Sequence, residues 1–158
     1  MNTMSDFVDQ ADVVALIELG QTESIPDVSV QDYAPERLVA SATVVKAVKG
    51  VKQGDQLKLF HAVRSTNPEK PEQAPRIEDT RNYPFTEGDR LIVALEPVTK
   101  HGERRLVTPD AFFVDRDGVL DPELAATRDG CSSEPKPLFQ EAISMTTDEL
   151  LSAAAREV

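Results

Sequence analysis

The residues able to carry chemistry in this chain are few and widely spaced. Cys131 is the sole cysteine and lies in a polar run, Asp-Gly-Cys-Ser-Ser, so neither an internal disulfide nor a multi-thiolate metal cluster can form. We read it as a loop thiol, with a catalytic thiolate or intermolecular pairing as the minor reading. His61 and His101 are the only histidines, and forty residues separate them without any metal-ligand spacing. Either could serve as a general base, but no serine occupies a Gly-x-Ser-x-Gly elbow that would set up a triad. Asp115, Asp117 and Asp121 suggest calcium, yet the glycine at 118 falls too early for an EF-hand loop and no glutamate closes it. An Asp-Gly turn is the simpler reading. Lys46, Lys49, Lys52 and Lys58 form a basic stretch with Phe60 as the nearby ring, which would suit single-stranded nucleic acid. Asp55 interrupts it and no Tyr or Trp interleaves, so a solvated hairpin is preferred. Glycine-rich phosphate loops are absent from the sequence, and no cofactor is implied. The reading therefore assigns no catalytic, cofactor-binding or metal residue.

These side chains must be held by a single modest core. The chain has 158 residues, enough for one ordinary domain, which we place at residues 5–158. Acidic residues number 28 against 17 basic ones, a formal charge of −11 that repels nucleic acid phosphates and anionic bilayers at long range. No apolar run approaches a membrane span, and the first residues show neither the basic start nor the apolar stretch of a signal peptide. The expectation is a cytoplasmic protein as the chain stands, or an exported one if a leader has been removed, with no membrane insertion.

Periodicity places the elements. Ser5 to Gln10 reads as a short helix capped by Ser5, and Ala11 to Leu19 as a first strand ended by Gly20. The segment 21–36 carries Pro26 and Pro35 and is expected to be a long loop or a ragged strand edge. Arg37 to Lys49 is the strongest strand: Leu38, Ala40, Ala42 and Val44 share one face. The pattern then slips, with Ala47 the next expected inward residue, which a bulge near Val45 and Lys46 would produce. Further strands are expected at 55–60, 90–95, 104–107, 111–114 and at Val119 and Leu120. Residues 62–84 contain Pro68, Pro71, Pro75 and Pro84 and read as an excursion from the sheet. Thr146 to Glu149 spells a capping box, opening a helix striped by Leu150, Leu151 and Ala154.

Taken together, ADVV from Ala11, VVKAVKG from Val44, GDQLKL from Gly54, FTEGDRLIVAL from Phe85 and FVDRDGVL from Phe113 resemble a family. It comprises bacterial proteins whose barrel is similar to the N-terminal domain of tissue inhibitors of metalloproteinases, and the resemblance covers roughly Asp6 to Leu120. It implies a mainly β fold: a small OB-like antiparallel barrel with a short N-terminal helix, long loops and a C-terminal helix. The barrel core would span about 11–120, an extension 121–145 and a closing helix 146–157. The inhibitors chelate a protease zinc through a mature N-terminal cysteine, which has no counterpart here because no cysteine precedes Cys131. The functional expectation is a non-enzymatic binding module whose partner is another protein, with loops 21–36 and 62–84 as recognition surfaces. A protease-inhibitor-like protein is the alternative, with a nucleic-acid binder or a hydrolase behind it.

Overall fold

The computed structural model describes residues 3–26, 36–65, 69, 70, 72, 76–78, 85–108, 111–121, 137–142 and 144–158; at 61, 63–65, 76–78 and 137 it describes the backbone alone. Among the described residues, three helices and seven strands follow one another along the chain. They are α1 (Met4–Asp9), β1 (Val13–Pro26), β2 (Glu36–Lys49), β3 (Gln56–Ser65), β4 (Arg76–Glu78), β5 (Arg90–Leu95), β6 (Phe112–Arg116), β7 (Val119–Leu120), α2 (Pro137–Ala142) and α3 (Thr147–Arg156).

The protein is mainly β. Its strands form one sheet in the order β4-β3-β2-β1-β5-β6-β7, and every ladder is antiparallel. The closed barrel expected from the sequence is corrected to an open, curled sheet. The segment 104–107, expected as a strand, forms isolated bridges instead: Leu59 with Arg104 in parallel and Leu95 with Leu106 antiparallel. The amide of Arg104 donates to the carbonyl of Lys58 and that of Phe60 to Arg104, both at 2.8 Å, while Glu96 donates to Arg105 at 2.8 Å. This short segment spans the gap between β3 and β5, so the sheet is barrel-like without a continuous ladder.

Bulges supply the curl. Leu16 pairs with Lys46 but Ile17 with Val44, which leaves Val45 as the extra residue at the position the sequence pattern indicates. Ala40, Ala42 and Val44 face the core as expected, whereas Leu38 is only half-buried. Ala47 is exposed, contrary to expectation, and a second shift between Val14 and Ala15 follows it at the end of β2.

Of the two alternatives for the stretch after Gly20, the irregular strand edge holds as far as Pro26, and the expected excursion at 62–84 is partly strand. β1 continues past Gly20 to Pro26, since a third shift at Leu19 and Thr22 absorbs Gly20 and lets Thr22 to Pro26 pair with 36–40. β3 likewise runs on to Ser65 and pairs with β4 inside the segment expected to leave the sheet. Of the rest of loops 21–36 and 62–84, all but residues 69, 70 and 72 lies outside the described residues.

The core gathers the inner sheet face under three helices. Phe113 packs on Phe7 of α1 and Phe139 of α2, with ring centroids 5.5 and 5.1 Å apart. Helix α2 falls in a region expected to be irregular, where its six residues are too short to reveal a helical period. Thr3 rather than Ser5 caps α1, accepting from the amide of Asp6. Helix α3 has the expected capping box between Thr146 and Glu149, and buries Leu150, Leu151 and Ala154. Among the described residues no helix is long and apolar enough to cross a membrane.

Candidate functional site

On the outward face of β2 and β3, residues opposite one another alternate with the core positions. Val39 pairs with Phe60, Ser41 with Lys58 and Thr43 with Gln56. Val39, Phe60 and Ala62 are buried yet do not belong to the main core cluster. The face therefore carries a small second apolar layer at one end and polar side chains at the other.

The hairpin-like connection after β5 folds over this face. Thr99 donates its amide to Glu103 at 2.8 Å, and Gly102 donates to Thr99 at 2.9 Å, which closes a turn with Lys100 and His101 exposed at its tip. Gly102 holds a φ of +80° there, a conformation that favours glycine. Beyond the turn, successive side chains reach different partners. The carboxylate of Glu103, 1% exposed as a residue, sits 3.3 Å from Arg37 Nε. Arg104 donates to Asp12 at 2.6 Å and to the carbonyl of Glu96 at 3.2 Å. The guanidinium of Arg105 lies 4.3 Å from the centre of the Phe60 ring, a cation–π contact.

Between this connection and the strands runs a groove of about 380 Å³. Ser41, Gln56 and Lys58 line it from the sheet, with Leu57 beside them; Val98, Gly102 and Arg104 form the opposite wall. Gln56 and Thr43 hydrogen-bond through their side chains at 3.0 Å, which fixes the amide at the groove edge. The Lys58 ammonium has no ion pair or hydrogen bond among the described residues. Val98 is 53% exposed, one of the few large apolar side chains left to solvent.

The sequence candidates are dispersed. Cys131 lies outside the described residues. His61 is placed in β3 by its backbone alone, and His101 stands at the exposed turn. Asp115 accepts hydrogen bonds from the Gly118 amide at 3.0 Å and from the Thr147 hydroxyl, while Asp121 pairs with Arg116 at 3.2 Å. These carboxylates are thus engaged within a hairpin whose central residues, Asp117 and Gly118, have φ values of 56° and 86°. Among the described residues no group of three metal-ligating side chains gathers.

The lysine stretch also divides. Lys46 bonds Asp148 at 2.6 Å on α3, and Lys49 donates to the carbonyl of Val8 at the end of α1 at 3.0 Å. Two of the four lysines therefore tie helices to the sheet, which corrects the expectation of a simply solvated hairpin. Phe60, the expected stacking platform, is fully buried beneath Arg105.

Comparison of the chain with protein-family models, curated proteins and solved structures returns no match. The sequence reads Lys100 to Glu103 as a solvated hairpin, but nothing in it indicates that Glu103 is buried or that Val98 approaches β3, which depends on the fold of the 96–107 connection. The period-two pattern of β2 does indicate that Ser41 and Thr43 lie on one face.

Proposed function

We propose that this protein is a non-enzymatic interaction module that recognises another protein through the groove on the outward face of β2 and β3. The observation that carries this reading is the groove itself. It has a polar floor at Ser41, Gln56 and Lys58 and an apolar contact at Val98, on strands already fixed by two-sided pairing. Recognition surfaces gain affinity when their side chains are pre-organised on rigid elements rather than ordered on binding. The sheet face meets that condition.

The scaffold proposed is the OB-like barrel of the family that the sequence resembles. Two features support it: the curl that β1 shares between β2 and β5, and the bridging segment 104–107 that reaches from β5 to β3. A partly open five-stranded barrel is the general form of that fold.

The test uses the full chain immobilised as bait in a lysate of its own organism, with each recovered protein then purified and titrated against the bait. Val98→Asp introduces a charge into the groove at an exposed position, where it does not burden the core. A stoichiometric partner that binds the native chain and loses affinity for this variant supports the reading. A folded bait that retains nothing, or a partner indifferent to Val98→Asp, overturns it.

A further inference from the structure

We infer that the groove takes an extended acidic segment of a partner protein, seating one carboxylate on Lys58 and an apolar neighbour against Val98. This inference rests on the interaction-module reading and names the chemistry of its ligand.

Charge complementarity is the first argument. The chain has a formal charge of −11, yet no Asp or Glu lines the groove among the described residues. Of the two cations that do, Arg104 is neutralised by Asp12 at 2.6 Å. Lys58 is left without a counter-ion among the described residues, and its ammonium is the natural seat for a carboxylate. In so acidic a molecule a local cation without an internal partner also fixes the register of an approaching acidic chain.

The lining beyond Lys58 selects a peptide over other anions. Successive side chains of an extended chain point to opposite sides, so an acidic residue facing Lys58 leaves its neighbours free to lie along the groove walls. Val98 offers apolar contact there, while Ser41 and Gln56 offer hydrogen bonds to a peptide main chain. A single-stranded nucleic acid needs a track of cations and stacking rings. Among the described residues the groove has one uncompensated cation and no aromatic lining, and Phe60 is closed off by Arg105.

Fluorescence anisotropy of the full chain tests this with three probes. They are a short fluorescein-labelled peptide alternating glutamate with leucine, the same peptide with lysine for glutamate, and a labelled oligothymidylate. The acidic peptide is expected to bind in preference to both others, and more weakly as salt is added. Lys58→Glu is expected to weaken it about tenfold, while Arg156→Glu, which makes the same charge change on the exposed end of α3, leaves it unaltered. Equal losses in both variants, no binding of the acidic peptide, or preference for the oligothymidylate overturns the inference. If the acidic peptide fails while a captured partner still loses affinity for Val98→Asp, the ligand assignment falls and the interaction groove stands. If the partner is also indifferent to Val98→Asp, both fall.

Discussion

The hydroxyl of Thr147, at the start of α3, donates a hydrogen bond to the buried carboxylate of Asp115 in β6. The same carboxylate accepts from the Gly118 amide at 3.0 Å and faces Arg90 Nε at 3.7 Å, and the Thr147 amide donates to Gly118 at 3.0 Å. One side chain thus joins a sheet hairpin to the first turn of the C-terminal helix, where the helix dipole favours a negative charge.

Thr147→Val keeps the shape of the side chain but removes the donor, so Asp115 loses a partner in a buried setting. The expected cost is about 1–3 kcal/mol in urea unfolding. Amide exchange should accelerate in α3 more than in β2, because the bond secures the helix rather than the sheet. An unchanged midpoint with uniform exchange would show that the capping box alone holds α3.

A second prediction concerns Arg37 and Glu103, which face each other at 3.3 Å with side chains 12% and 2% exposed. Arg37 Nε and Glu103 Oε2 have no hydrogen-bond partner among the described residues, so desolvation is only partly offset. Glu103→Ala leaves the guanidinium with its nearest opposite charge removed, at a cost of about 3 kcal/mol. The double change Arg37→Met with Glu103→Leu should return stability to within about 1 kcal/mol of the native chain, or above it. Thermal and urea melts of the single and double variants decide this; a double variant as weak as Glu103→Ala would mean that the ion pair itself stabilises the fold.

The sequence made much of the sheet legible because strand burial writes itself as a period of two. Ala40, Ala42 and Val44 were readable for that reason, and the slip at Val45 announced a bulge. The capping box of α3 was equally local, needing only Thr146 and Glu149. What local pattern does not contain is the partner of each edge. Thr22 to Pro26 read equally as a loop or a ragged strand edge because they are mostly polar and end in proline, and it is pairing with β2 that decides for strand. Helix α2 shows through Leu138, Phe139 and Ala142 only once the core they enter is present. The groove was illegible for the same reason: Lys58 and Val98 are forty residues apart and meet through the 96–107 connection. The lysine stretch misled because regular spacing in sequence says nothing of the helices that claim Lys46 and Lys49.

The last prediction compares two glycines of one turn. Gly50 and Gly54 flank the β2–β3 connection with φ values of 78° and 89°, so a side chain at either is strained by the left-handed backbone. Their surroundings differ. A Cβ at Gly50 would meet the Asp12 carbonyl oxygen at 2.1 Å, whereas one at Gly54 meets nothing within 4 Å. Gly54→Ala therefore carries the conformational cost alone, about 1–2 kcal/mol. Gly50→Ala adds displacement of the backbone that enters β1, for a total of about 2–4 kcal/mol. It also shifts Asp12, whose carboxylate holds Arg104 on the groove wall. Gly50→Ala should consequently weaken groove binding as well as lower the melting temperature, while Gly54→Ala lowers the melting temperature alone. Equal melting points for the two variants would refute the close approach of Gly50 to Asp12.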